Sequence, residues 1–192
     1  MEKSVLRNHI LDQRLALQES YIRQVSENFI PRIESLNYSF ENKVVALYSD
    51  FKNEVPTHDL FYYLKPKVKT IVYPRNYSDP KCAIRFYEVE DLPLLKKSRF
   101  GILEPSLECL EVSPEDIDVY FVPGVAYDQR GFRVGYGSGC YDVYFSKVKR
   151  YVDIFGLAYD FQIVPLVRNE EHDIQVKKLI TDKRIIHCHT EG

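Results

Sequence analysis

The chain has 192 residues, of which 45% are hydrophobic and 28% charged, a composition that fits one domain with a full apolar core. Its net charge of −2 provides no overall attraction for nucleic acid, so no nucleic-acid partner is expected. No apolar run approaches the roughly 20 residues of a membrane span, and the N-terminal MEKSVLRNHILDQR is too charged for a signal peptide. We therefore expect a soluble, cytoplasmic monomer with no membrane partner.

Two kinds of hydrophobic pattern follow one another along the chain. Apolar residues recur at three- and four-residue steps from Leu6 to Ile33, which predicts amphipathic helices in the first third. Further helices are predicted at THDLFYYL (57–64) and CYDVYFSKVKRY (140–151). Short runs rich in β-branched and aromatic residues predict strands at 43–48, 69–74, 83–89, 117–123, 152–159, 178–181 and 184–188.

The alternation of predicted strands and helices favours βαβ units. Such units build a mostly parallel, Rossmann-like sheet that is covered on both faces. The predicted fold class is therefore α/β, with N-terminal helices and a single domain over residues 1–192. The stretch DLPLLKKSRFGILEPS (91–106) is predicted to be a long irregular connection, of the kind that often has a functional role.

The four cysteines suggest neither a metal site nor a disulfide framework. They are far apart and show no CxxC spacing, so we expect free thiols in a reducing compartment. The positions are Cys82, Cys109, Cys140 and Cys188.

A glycine-rich segment, VPGVAYDQRGFRVGYGSGCYD (122–142), follows a strongly apolar predicted strand and holds five of the chain's eight glycines. Alternating glycines at Gly135, Gly137 and Gly139 let backbone N–H groups approach a phosphate at the start of the next helix. GYGSG is neither a GxGxxG fingerprint nor a Walker loop. The segment therefore predicts either a phosphate site or a hairpin that only turns the chain.

Two charged residues beside these glycines favour a nucleotide site. Arg133 could grip a polyphosphate through two parallel hydrogen bonds, and Asp142 could hold the Mg²⁺ that accompanies it. The alternative for Asp142 is a helix cap, since acids are common in the first turn of a helix.

A set of short motifs in a fixed order resembles the 5-formyltetrahydrofolate cyclo-ligase family. The motifs span nearly the whole chain, and the ordered set is far more specific than any one member. They are KSVLR followed by Arg14, NEVPT (53–57), YPR (73–75), FGILEP (100–105), the glycine-rich segment, and EEHDIQVKKLIT (170–181).

The resemblance implies a three-layer α/β/α fold and an ATP- and Mg²⁺-dependent enzyme. Its reaction would convert 5-formyltetrahydrofolate, with one or more glutamates, to 5,10-methenyltetrahydrofolate. The formyl oxygen would attack the γ-phosphate, and N10 would then displace the phosphate. Catalysis would rest on positioning and on charge neutralisation, with Arg133 and Asp142 as catalytic residues.

The resemblance also implies the ligands of particular residues. Asp142 and Asp173 would hold Mg²⁺, and Glu54 would bind the pterin, with Ser49 near a second folate contact. Arg75 follows a strand and is a further candidate for substrate binding. The ATP contacts would be Lys3, Arg7, Arg133, Gly135, Tyr136, Gly137, Ser138, Gly139, Cys140 and Tyr141.

Three positions depart from the family pattern, and three other functions are compatible with parts of the sequence. The departures are Ser138, Cys140 and Val143: relative to the family pattern, Ser138 stands for glycine or lysine, Cys140 removes a stacking or hydroxyl-bearing group, and Val143 removes a charge. Another ATP-using enzyme on this fold would bind nucleotide without folate. A non-catalytic folate-binding protein would keep the scaffold, but the retained charged residues disfavour it. Nucleic-acid binding is disfavoured by the charge.

Overall fold

The computed structural model describes residues 2–77, 83–170 and 173–188. Within them the helices are α1 Lys3–Leu15, α2 Glu19–Ser35, α3 His58–Leu64 and α4 Cys140–Phe145. Short 3₁₀ turns lie at Leu92–Leu94, Pro114–Asp116 and Asp160–Gln162. None of the described helices is long and apolar enough to cross a membrane.

The strands form one large sheet and two small ones. In chain order they are β1 Val44–Ala46, β2 Thr70–Tyr77, β3 Ala83–Glu88, β4 Leu95–Lys97, β5 Leu103–Pro105, β6 Glu111–Val112, β7 Val119–Val122, β8 Ala126–Asp128, β9 Arg133–Val134, β10 Asp153–Ala158, β11 Ile163–Val164, β12 Lys178–Thr181 and β13 Ile185–His187. The large sheet has the order β13-β12-β10-β7-β1-β2-β3-β6. Its five central strands, from β12 to β2, are parallel, and the flanking strands are antiparallel.

Helices cover both faces of the large sheet, which makes the three layers. Phe29 of α2 and Phe61 of α3 pack on one face, and Phe145 of α4 packs on the other. Helix α1 packs through Leu6 and Ile10 on the small sheet of β8, β9 and β11. The predicted α/β class with a mostly parallel sheet is confirmed.

The chain reverses direction beside β1, and this reversal creates a crevice. From β1 the chain passes through α3 to β2 on one side, whereas β7 leads through α4 to β10 on the other. The loops that follow β1 and β7 therefore diverge at the carboxyl edge of the sheet. Ligands of open α/β sheets bind at such a point.

The predicted strands and N-terminal helices are all present, but two other predictions are wrong. Residues 91–106 include the hairpin β4–β5 rather than an irregular connection, and buried Glu104 ties the hairpin to β2 by accepting hydrogen bonds from Asn76. Helix α4 ends at Phe145, not near residue 151. Bonds from Lys147 N to Tyr144 O and Val148 N to Phe145 O tighten its last turn and end it.

Candidate active site

A cleft of about 990 Å³ lies at the carboxyl edge of the sheet. Its walls come from α1, the loop after β1, the end of β2, the tip of the β4–β5 hairpin and the glycine-rich segment. The predicted site residues that line it are Lys3, Arg7, Ser49, Glu54, Arg133, Gly135, Tyr136, Gly137, Ser138, Gly139, Cys140, Tyr141, Asp142 and Asp173. Folding has thus brought together residues that are up to 170 positions apart.

The glycine-rich segment has two structural parts, a hairpin turn and a stretch that lines the cleft. Gly131 turns the β8–β9 hairpin with φ +94°, and a Cβ there would lie 2.3 Å from the Val176 carbonyl oxygen. The stretch from Gly135 to Gly139 instead runs along the cleft, with φ +107° at Gly137 and +68° at Gly139. We call residues 135–139 the glycine loop.

Arg133 and Asp142 form an ion pair at the base of the glycine loop. Nη2 of Arg133 donates to both carboxylate oxygens of Asp142, at 3.2 and 3.3 Å, and the guanidinium lies 5.1 Å from the Tyr141 ring centroid. Asp142 also accepts a hydrogen bond from the Ile174 backbone N–H. Asp142 therefore joins the start of α4 to Arg133 of β9 and to the segment that carries Asp173.

The N-terminal helix supplies two further cations to the same side of the cleft. Lys3 Nζ lies 2.9 Å from Asp173 Oδ2, while Arg7 Nε donates to the Gly135 carbonyl at 2.7 Å. The Arg7 guanidinium also packs against Gly137, at 3.4 Å from where a Cβ would stand. Lys3 and Arg7 thus lie together on this wall, as the sequence predicted.

Glu54 lies on the opposite side, in the loop after β1, and is almost completely buried. Its Oε2 accepts the Phe51 N–H at 3.0 Å, and its Oε1 lies 3.9 Å from Arg14 Nη2. Burial raises the pKa of Glu54 to about 7, although the nearby Arg14 lowers it. The carboxylate can therefore exchange a proton near neutral pH.

Several buried polar atoms in the cleft have no hydrogen-bond partner among the described residues. They are Ser49 Oγ, Glu54 Oε1 and Arg133 Nε, and outside the cleft only Arg150 Nε and Tyr159 OH share this state. A buried polar group without a partner costs about 1–3 kcal/mol. A ligand that hydrogen-bonds to these atoms would recover that energy.

Two predictions for individual residues are not supported by the structure. Arg75 is absent from the cleft lining, and its guanidinium donates to the Pro105 carbonyl instead. Cys140 is disulfide-bonded rather than a free thiol, whereas Cys109 and Cys188 are free as expected. Cys82 lies outside the described residues. Sequence separation does not reveal which cysteines approach one another in the fold.

Sequence reasoning gave Arg14 no role, although it is wholly buried beside the cleft. The sequence does contain a signal for this residue, because Arg14 follows Leu6 and Ile10 at four-residue steps on the apolar face of α1. A charged side chain that is buried on such a face requires polar partners. Phe51 and Lys52, beside Glu54, also line the cleft and carried no sequence signal, whereas Phe100 of the β4–β5 hairpin lines it and was given no role although it opens the FGILEP motif.

The two predicted magnesium carboxylates lie in the same cleft but form no preassembled cage. No group of three or more His, Cys, Asp or Glu side chains suited to a metal occurs in residues 2–77, 83–170 and 173–188. Mg²⁺ usually keeps several waters and takes one or two carboxylates together with substrate phosphates. Asp142 and Asp173 fit that kind of binding.

An open α/β sheet with a polar crevice at its reversal point is typical of an enzyme that binds its ligands there. The model of the 5-formyltetrahydrofolate cyclo-ligase family matches residues 1–182. The chain therefore belongs to this family of enzymes.

Individual relatives agree with the family match. A 5-formyltetrahydrofolate cyclo-ligase of Mycoplasma pneumoniae is 28% identical over 95% of this chain and 100% of the relative. That of Haemophilus influenzae is 32% identical over 83% of this chain and 84% of its own. The structure of Aquifex aeolicus 5,10-methenyltetrahydrofolate synthetase superposes with a TM-score of 0.82 and 34% identity, over 100% of this chain and 95% of that one.

Proposed function

We propose that the protein converts 5-formyltetrahydrofolate to 5,10-methenyltetrahydrofolate while ATP is cleaved to ADP and phosphate. The observation that carries this proposal is the set of unpartnered buried atoms in the cleft. Arg133 Nε lies on the wall that holds the glycine loop, and Glu54 Oε1 and Ser49 Oγ lie on the other. Two polar ligands that meet in the cleft would satisfy both groups.

The nucleotide occupies the wall formed by α1 and the glycine loop. Lys3, Arg7 and Arg133 bring three positive charges to this wall, and the alternating glycines leave backbone N–H groups accessible to phosphate oxygens. Tyr141 offers a ring beside Arg133. A polyphosphate with about four negative charges matches this wall better than a neutral ligand does.

The folate occupies the side of Glu54 and Ser49. A buried carboxylate with one free oxygen accepts hydrogen bonds from the amino-pyrimidine edge of a pterin, and Ser49 Oγ supplies a further polar contact. The neighbouring lining residues Ile84, Phe100 and Ile102 are apolar and suit a flat ring. One or more glutamates would extend from this ring system.

Asp142 and Asp173 would hold Mg²⁺ on the nucleotide side. The ion would supply positive charge to the phosphates when bound. Without ligands, Arg133 and Lys3 form ion pairs with these carboxylates. If Mg²⁺ took their place, both cations would become available to phosphate oxygens.

The chemistry requires the formyl oxygen and the γ-phosphorus to meet between the two walls. The formyl oxygen forms a bond to phosphorus as the bond to ADP breaks. N10 then adds to the formyl carbon, phosphate leaves, and the proton on N10 is lost. An amide oxygen is a weak nucleophile, so the protein's contribution is orientation by Glu54 and neutralisation of phosphoryl charge by Arg133.

An absorbance assay tests the proposal directly. The purified protein is mixed with 5-formyltetrahydrofolate, Mg²⁺ and ATP, and methenyl formation and ADP release are followed together. Equal amounts of both products, with none when ATP is omitted, are expected. ATP cleavage without folate turnover would indicate another ATP-using enzyme, and folate binding without either product would indicate a non-catalytic binding protein.

We also propose that residues 1–192 act as one domain and as a cytoplasmic monomer. The support for one domain is that the two largest of the three apolar clusters pack on the same sheet. Size-exclusion chromatography with light scattering tests the monomer, because a dimer would double the 22.6 kDa chain mass.

A further inference from the structure

The side chain of Tyr136 leaves the glycine loop and reaches the loop that carries Glu54. Its hydroxyl donates to the Phe51 carbonyl at 3.3 Å, and its ring lies 6.2 Å from that of Phe51. Phe51 in turn donates its N–H to Glu54 Oε2. A residue of the nucleotide wall is therefore joined to the folate wall through one backbone segment.

Arg14 supports this connection from beneath. It is wholly buried and donates Nε to the Lys52 carbonyl at 2.9 Å and Nη1 to the Gly124 carbonyl at 3.1 Å. Nη2 donates to the Tyr136 hydroxyl and lies 3.9 Å from Glu54 Oε1. One guanidinium thus contacts the loop after β1, the loop after β7 and the side chain from the glycine loop.

Both loops joined in this way contain residues with positive φ and residues exposed to solvent. Gly137 and Gly139 have positive φ in the glycine loop, while Lys52 and Asn53 have φ +50° and +57° in the other. Residues 136–138 are exposed to solvent, as is Lys52. Segments of this kind lose conformational entropy when a ligand orders them.

We propose that Arg14 and Tyr136 are positioning residues that couple nucleotide binding to folate binding. The coupling rests on the proposed function, because it needs both ligands in the one cleft. A nucleotide that orders the glycine loop fixes Tyr136, and Tyr136 fixes Phe51 and, through it, Glu54. The folate then binds to a loop whose ordering has already occurred, and linkage requires the folate to strengthen nucleotide binding by the same factor.

The test is the Tyr136→Phe variant, which removes one hydroxyl and keeps the ring. It is preferable to a change at Arg14, because loss of a wholly buried guanidinium endangers folding. Calorimetry measures the affinity for 5-formyltetrahydrofolate without nucleotide and with a saturating non-hydrolysable ATP analogue and Mg²⁺. Tyr62→Phe, an exposed tyrosine of α3 outside the cleft lining, is the matched control.

In the unchanged protein and in Tyr62→Phe, the analogue should tighten folate binding about 5-fold or more, the lower end of typical coupling. In Tyr136→Phe the factor by which the analogue tightens folate binding should fall to about 1–2. The affinity for the nucleotide, measured without folate, should change by a smaller factor than this coupling does. A merely structural tyrosine would weaken single-ligand binding and leave the factor unchanged, and that result would overturn the proposal.

Two outcomes with the unchanged protein separate this inference from the proposed function. If both ligands bind but neither affects the other, the coupling is wrong and the proposed function stands. If either ligand fails to bind, the proposed function is wrong and the coupling fails with it.

Discussion

At the scale of single residues, Glu54 shows a conflict between ligand binding and stability. Its carboxylate is buried, one oxygen lacks a partner, and Arg14 stands 3.9 Å away without a direct hydrogen bond. Tyr136 and Asp50 are the other titratable groups that act on it. Under the proposed function a folate would pair with this oxygen, so the arrangement would stabilise the folate complex better than the empty protein.

We predict that Glu54 makes the protein less stable as pH rises from about 4.5 to about 7. The folded-state pKa is raised from 4.5 to about 7, so the folded protein binds the proton more tightly than the unfolded chain does. Stability contributed by that proton is complete below pH 4.5 and is lost as pH rises through 7, by roughly 3 kcal/mol at most. When urea unfolding is measured from pH 5 to 8, the free energy of unfolding of Glu54→Gln should not show this decrease with rising pH.

The control for this measurement is Glu27→Gln, which changes an exposed glutamate of α2. Its pH profile should match that of the unchanged protein. If Glu54→Gln and the unchanged protein keep the same stability difference at pH 5 and pH 8, Glu54 does not titrate in this range.

At pH 8 the Glu54→Gln variant should also bind 5-formyltetrahydrofolate about tenfold more weakly, with single-ligand ATP affinity nearly unchanged.

We predict that Asp142→Asn lowers kcat/KM about 100-fold or more and leaves the fold intact. Asparagine keeps an oxygen that accepts from Arg133 and from the Ile174 N–H, but it loses the charge that Mg²⁺ requires. The measurement is turnover over a Mg²⁺ titration, with circular dichroism for the fold. Exposed Asp12→Asn on α1 is the control, and a near-normal Asp142→Asn rate at saturating Mg²⁺ would remove Asp142 from the metal role.

At the scale of secondary-structure elements, the glycine-rich segment is a hairpin followed by a loop that lines the cleft. Gly131 belongs to the hairpin turn, where Asp128 accepts hydrogen bonds from the N–H groups of Arg130 and Phe132. Gly139 belongs to the loop at the start of α4. Glycine is therefore surrounded by other atoms at the first position and open to the cleft at the second.

We predict that Gly131→Ala lowers the free energy of unfolding by about 3 kcal/mol or more. Its Cβ would stand 2.3 Å from the Val176 carbonyl oxygen, and its φ of +94° is strained for alanine. Gly139→Ala is the comparison, because its φ is also positive but no atom lies within 4 Å of the added Cβ. It should cost only about 1 kcal/mol. If both variants lose the same free energy of unfolding in chemical denaturation, the atoms around the Cβ added at Gly131 must shift to accommodate it.

At the scale of the whole molecule, residues near the beginning and near the end of the chain meet in the wall of the cleft. Lys3 begins α1, and Asp173 precedes the last parallel strand, β12, yet their side chains form an ion pair at 2.9 Å. The pair is partly exposed: the side chain of Lys3 keeps 35% of its surface accessible to solvent, and that of Asp173 keeps 12%. Its contribution to stability should therefore be small, and under the proposed function its main role would be in nucleotide binding.

We predict that Lys3→Ala raises the KM for ATP about tenfold and changes the free energy of unfolding by less than about 1 kcal/mol. A charged hydrogen bond to phosphate is lost, whereas a partly exposed ion pair adds little to folding. Steady-state kinetics and urea unfolding measure the two effects. Arg23→Ala, which breaks the exposed pair with Glu19 on α2, should change neither quantity. An unchanged ATP requirement in Lys3→Ala would make its ion pair purely structural.

The sequence by itself determined the parallel strands and the N-terminal helices, and it named half of the residues that line the cleft. Strands β1, β7 and β10 fall within the predicted runs because burial on both faces demands continuous apolar residues. The glycine loop and its charged neighbours were predictable because they are adjacent along the chain. The apolar runs and the glycine loop are patterns of neighbouring residues, so they can be recognised from the sequence alone.

Only the tertiary structure decided which distant residues meet. It turned Arg75 away from the cleft, buried Arg14 between three loops, and formed β8, β9 and β11, which are too short to show a periodic pattern. Arg14 lies 110 positions from Gly124 and 122 from Tyr136. Periodicity reports which face of an element is buried, but the partner that a buried charge finds depends on how all the elements pack, and no local pattern contains that.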